Sequence, residues 1–193
     1  MKAKFLVVSA AAAVMALSAC KHGPSAETMK AVADFGTNWT TLGSEATTWA
    51  ADLEKAIADC DAECKNHETM SMEGMSEELK AKAAETANAC KSDKSSFEAM
   101  KTEWDAFKTS WEENTAAFTA MQEKMNKGEV DEETAKKQLA ELTTKMEESK
   151  AKVEGWKVAF TAAKESCMKN MEASASIKKM AEEEMAKAPA KKK

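Results

Sequence analysis

Apolar side chains recur along this chain at alternating intervals of three and four residues, forming three long stripes separated by short polar stretches. The first stripe reads Val32, Phe35, Trp39, Leu42, Ala46, Trp49, Leu53, Ala56, Cys60. The second reads Leu79, Ala83, Thr86, Cys90, Asp93, Phe97, Met100, Trp104, Phe107, Trp111, Asn114, Phe118, Met121, Met125, with only Thr86, Asp93 and Asn114 polar. The third reads Leu139, Leu142, Met146, Ser149, Val153, Trp156, Phe160, Ala163, Cys167. A mean spacing of 3.5 keeps one helical face against a partner as both supercoil. The pattern therefore predicts three long amphipathic helices that bury their stripes on one another.

The breaks between stripes set the register. Asn126-Lys127-Gly128 reads as a helix stop, with Gly128 free to take the left-handed cap conformation and Asp131 suited to cap the next start. Folding back at that turn opposes residues whose numbers have a constant sum. Phe118 then meets Leu139, Trp111 meets Met146, Trp104 meets Val153, Phe97 meets Phe160, Cys90 meets Cys167 and Asp93 meets Lys164. For the first break we place the turn at Gly74, with Ser76 capping the next helix, rather than near Asn66. The Gly74 turn opposes Cys60 to Cys90. After Cys167 the stripe weakens through Met171, Ser174 and Ile177, so the third helix is expected to project beyond its partners and fray. Gly36 and Gly43, seven apart beside the first stripe, each cost about 1 kcal/mol in helix propensity. They either make room for large rings of a neighbouring helix or weaken this one.

Composition agrees with a helical reading. In 193 residues, 44% hydrophobic and 32% charged, there is no proline between Pro24 and Pro189, no arginine and no tyrosine. A proline-free run rich in Ala, Glu, Lys and Met favours helix throughout. The predicted class is all-α, an elongated antiparallel three-helix bundle with up-down-up order, similar in architecture to spectrin-type repeats. A dimer of opened hairpins is the alternative, since Asn114 is the kind of polar seam residue that fixes register or oligomeric state.

The first twenty residues carry an address. Lys2 and Lys4 precede an apolar stretch, Phe5 to Ala16, that is too short to span a bilayer. Leu17-Ser18-Ala19-Cys20 follows, and it resembles the lipobox of bacterial lipoproteins. The resemblance implies cleavage before Cys20, diacylglyceryl modification and further acylation (palmitate or its like) of that cysteine, and attachment to the cell envelope. Lys21 at the next position points to the outer membrane, with the body facing the periplasm or the cell surface. The resulting organisation is a signal peptide at 1–19, a lipidated tether at 20–25, a bundle at 26–186 and a disordered lysine-rich tail at 187–193. Within the bundle, helices are expected at about 26–72, 76–126 and 131–186. Without Lys2 and Lys4 the chain holds 26 lysines against 33 acids, a net charge of −7. That balance argues against a nucleic-acid partner.

Four cysteines remain beyond Cys20: Cys60, Cys64, Cys90 and Cys167. An even number in an exported chain favours disulfides. With turns at Gly74 and Gly128, Cys60, Cys90 and Cys167 share a level and Cys64 lies one turn away. Three pairings are open. A bond between Cys60 and Cys64 has poor geometry inside a regular helix, so each is expected to reach a different helix. A four-thiolate metal site is the competing reading.

Two further constellations carry chemistry. His67, Met70, Met72 and Met75 offer imidazole and thioether donors that suit copper. Their spacing resembles methionine-rich segments of periplasmic copper-handling proteins, and the upstream C-x₃-C resembles that of the Sco family. With 14 methionines in the chain, methionine also serves as an ordinary core residue. At the C-terminus, Lys193 on a helical lipoprotein resembles the major outer-membrane (Braun-type) lipoprotein. That likeness implies a side-chain link to peptidoglycan.

No histidine is placed beside a nucleophile, no glycine-rich phosphate loop occurs, and all ten aromatic residues after Cys20 fall on the stripes. We therefore expect a non-enzyme without catalytic residues or cofactor. Its anticipated partners are the membrane, through its lipid, and another envelope protein or peptidoglycan. The expected role is structural or protein-binding, with copper handling and a membrane-to-wall tie as alternatives.

Overall fold

The computed structural model of the chain describes residues 23–187, which form three helices: α1 (Ala26–Glu68), α2 (Glu77–Asn126) and α3 (Glu132–Lys187). The described residues form an all-α three-helix bundle without strands. No helix among them is long and apolar enough to cross a membrane.

Local chemistry accounts for where each helix starts and stops. Ser25 caps α1, its Oγ accepting from Thr28 N at 3.2 Å. Ser76 caps α2 through Leu79 N at 3.3 Å, and Asp131 caps α3 through Thr134 N at 2.8 Å. At the end of α2, Gly128 has φ 69°; Glu129 N donates to Lys124 O and Gly128 N to Met125 O, the paired bonds of a Schellman cap.

The end of α1 differs from expectation. It stops at Glu68, not near residue 72. Ser71 Oγ instead takes the N–H of Glu73, a local side-chain bond that competes with helix, and Gly74 turns the chain at φ 82°.

All three helices contribute to two compact units, one built among the described residues from 23–47 with Lys108–Val153, the other from Thr48–Phe107 with 154–187. In the first unit the core is Val32, Phe35, Trp39, Phe118, Met121, Met125, Val130, Ala135 and Leu142. Trp39 and Trp111 stack with centroids 3.7 Å apart, and Phe35 meets Phe118 at 4.9 Å. Gly36 and Gly43 lie beneath these rings: a Cβ would come within 3.1 Å of Phe118 at the first and 3.0 Å of Trp111 at the second. Of the two readings left open for these glycines, room for rings is the one realised.

In the second unit Trp49 stacks on Trp156 at 5.0 Å, while Trp104 approaches both edge-on. Contacts between α1 and α2 join residues with a near-constant sum in both units, so the two helices are antiparallel there. The α2–α3 register also holds in part, with Phe97 facing Phe160 at 5.9 Å. Asp93 departs from it. Its carboxylate accepts from Asn170 Nδ2 at 2.6 Å, whereas Lys164 Nζ lies 5.9 Å over the Phe160 ring. A neutral amide satisfies the buried Asp93 oxygen without bringing an ammonium out of water.

The last part of α3 is also a correction. It packs rather than frays: Ile177 and Ala181 join Met75, Leu79 and Ala83 in an apolar cluster. The seam runs through Asn170 and Ser174, not through Met171, which is exposed.

Candidate functional site: four buried cysteines

The second unit brings Cys60, Cys64, Cys90 and Cys167 together, all buried. Cys60 and Cys64, four residues apart, occupy successive turns of α1. Cys64 is bonded to Cys90 of α2, with Cα atoms 5.8 Å apart. Cys60 and Cys167 are free thiols. The Cys60 sulfur lies 3.7 Å from the carbonyl oxygen of Cys90, and the Cys167 thiol of α3 is its neighbour on the other side. Burial, with help from Cys167 and the nearby Asp93, pushes the Cys60 thiol up to about 12; burial likewise raises Cys167. Both are therefore protonated, apolar-behaving groups at neutral pH.

Cys60 and Cys64 do not bond to each other. The expectation is that each reaches a different helix; Cys64 is bonded to α2 and Cys60 remains a free thiol. Cys90, which the hairpin register opposes to Cys167, is bonded to Cys64 instead. The sulfurs of Cys60, Cys64 and Cys90 all lie within 4.8 Å of one another. Such a trio could hold a soft ion as thiolates, at metal–sulfur distances of about 2.3 Å. Two of its members are joined here, so the trio becomes a ligand set only after reduction.

Polar groups are buried beside this layer. His67, in the last turn of α1, is only 5% exposed. The three-four alternation, continued from Cys60 through Glu63, places it on the stripe. Its Nε2 lies 3.5 Å from the Glu63 carboxylate. Burial acts to raise the Glu63 carboxyl, but the neighbouring Ser174 hydroxyl, a hydrogen bond from Asn66 Nδ2 at 3.2 Å, and the proximity of His67 and Lys178 hold it below its ordinary range. On the flank, Asp61 accepts from Lys65 and from Lys94 of α2, which pull its carboxyl down to about 2.

The methionines proposed alongside His67 have other surroundings. Met75 belongs to the apolar cluster, Met70 packs against it and Met72 is exposed. Cys20 and Lys193 lie outside the described residues.

Two glutamates of α3 perform a task that no pattern signalled. Glu132 takes Ser25 N at 2.6 Å, Ser25 Oγ at 3.0 Å and Thr28 Oγ1 at 2.7 Å. Glu184 takes Ser76 N at 2.7 Å and Ser76 Oγ at 2.8 Å. Each thus clasps the N-cap serine of another helix, supplying an anion where the helix N-terminus presents unpaired N–H groups.

No protein-family model, curated protein or solved structure matches this chain.

Proposed function

We propose that this chain is a lipid-anchored lipoprotein of the bacterial envelope whose three-helix body serves as a structural spacer or protein-binding element and catalyses no reaction. The observation that carries this reading is Leu17-Ser18-Ala19-Cys20 behind a short apolar leader. The body is compatible with it. Helix α1 begins at Ala26, so a tether of only a few residues separates the lipid-bearing position from folded structure. The aromatic side chains of the described residues are buried or, for Trp111, half-buried. None of them is left as an open platform for stacking a base or sugar. The buried cysteines and the ion-paired surface serve stability in this reading, and several acyl chains would hold the body at a leaflet at about 0.8 kcal/mol per buried methylene.

The test is metabolic labelling of the full chain in a bacterial host with a clickable fatty acid, followed by fractionation. We expect the wild type to be labelled and membrane-bound, and Cys20→Ser to be unlabelled and released from membranes. An unlabelled, soluble wild type would overturn the assignment.

A further inference from the structure

Among the described residues the Cys64–Cys90 bond ties α1 to α2, and no covalent link fastens α3. Yet Cys167 of α3 is buried against Cys60 of α1, thiol to thiol. We propose that Cys60 and Cys167 form a second disulfide, which fastens α3 to α1 one helical turn from the Cys64–Cys90 bond.

Three observations favour this pairing over the alternatives. Trp49 and Trp156 stack at the same numerical offset that separates Cys60 from Cys167, so the two thiols face each other in the α1–α3 register that this ring pair sets. Cys64, the other cysteine of α1, is already bonded to α2. A metal on Cys60, Cys64 and Cys90 would first require two electrons to break that bond. Joining Cys60 to Cys167 leaves it intact and uses the two thiols that remain.

The chemistry is ordinary thiol–disulfide exchange. One cysteine, as thiolate, attacks a small-molecule or protein disulfide, forms a mixed disulfide and releases one thiol. The second cysteine then attacks the mixed disulfide at the first cysteine's sulfur and releases the other thiol. Two thiols become one disulfide, and the oxidant is reduced to two thiols. Only the source of that oxidant depends on the envelope assignment. Burial holds both thiols protonated, so exchange in the fully folded, reduced protein is slow.

The experiment is to reduce and unfold the full chain, refold it in a glutathione redox buffer, quench with acid, and alkylate in denaturant without reduction. Intact mass and a peptide map then follow, using a protease that cuts after glutamate. Cleavage after Glu63 separates Cys60 from Cys64. We expect no alkylation at residues 60, 64, 90 and 167, and crosslinked peptides joining Cys60 to Cys167 and Cys64 to Cys90. In Cys167→Ser, Cys60 becomes alkylatable, and the thermal midpoint falls by about 5–15 °C relative to the oxidised wild type. Alkylation of Cys60 and Cys167 in the refolded wild type, a Cys60–Cys90 crosslink, or four alkylatable thiols with bound zinc or copper would each overturn the pairing. Mapping the same peptides from envelope fractions separates the two claims. A bond that forms in the buffer but is missing from cells leaves the pairing standing and counts against the oxidising envelope as its site.

Discussion

At Gly43 the α1 backbone lies against the face of Trp111, and a methyl group there would sit 3.0 Å from its Cζ2. Gly36 stands in the same relation to Phe118 at 3.1 Å. Alanine at either position gains up to about 1 kcal/mol of helix propensity but must displace an aromatic ring from a packed core, which typically costs about 1–3 kcal/mol. We therefore expect Gly43→Ala to lower stability in urea titrations by about 1–2 kcal/mol. Gly155 provides the internal control. It is helical, with open space where a methyl group would sit and nothing within 4 Å of that position, so Gly155→Ala should raise stability by about 0.5–1 kcal/mol. If both substitutions stabilise, the ring contact is not what keeps Gly43 in place.

Helix ends are where α3 acts on its neighbours. Glu132 stands one residue after its own N-cap, is paired with Lys136 at 2.8 Å, and also holds Ser25 and Thr28 of α1. Lys136 first, then the donors from Ser25 and Thr28, draw the Glu132 carboxyl down to about 2. A carboxyl depressed in the folded state contributes stability that is complete above its unfolded value, near 4.5. That contribution is lost as pH falls through the folded value of about 2. We expect Glu132→Gln to lower the thermal midpoint at pH 7, and the gap from wild type to close between about pH 4.5 and 2. A gap that persists at about pH 2 would mean that packing, not charge, sustains the clasp. The equivalent contact of Glu184 with Ser76 secures the start of α2, which is why the far end of α3 stays docked.

At the scale of the whole molecule, covalent and non-covalent stabilisation are distributed unevenly. The first unit holds its helices by rings, methionines and a hydrogen bond from Lys145 to Asn114. All four cysteines of the body lie in the second, along with the buried Glu63, His67 and Asp93. A disulfide of this kind contributes about 2–4 kcal/mol, mainly by restricting the unfolded chain. Reduction is therefore expected to speed amide hydrogen exchange most in residues 48–107 and 154–187. Residues 26–47, 108–126 and 132–153 should change less, as read by mass spectrometry on oxidised and reduced protein. Equal acceleration in both units would show that the bonds stabilise the body globally.

Much of this was written in the order of residues. The three-four alternation of Val32 to Cys60, Leu79 to Met125 and Leu139 to Cys167 determines three helices and their buried faces, because a repeat of 3.5 can be satisfied only by helix against helix. Gly128 and Asp131 likewise determine one turn, since cap chemistry is local. The resemblance of Leu17-Ser18-Ala19-Cys20 to a lipobox, on which the proposed function rests, is also a local pattern that needs no fold to be read. Tertiary structure alone decided the partners of polar groups. Whether Asp93 meets Lys164 or Asn170, whether Cys90 bonds Cys64 or Cys167, and which glutamate reaches Ser25 depend on how the helices rotate and slide to fill the core of each unit. Shifts of a few ångströms leave a hydrophobic stripe buried, because burial is non-directional, but they exchange one hydrogen-bond or sulfur partner for another, because those contacts have short reach and fixed geometry.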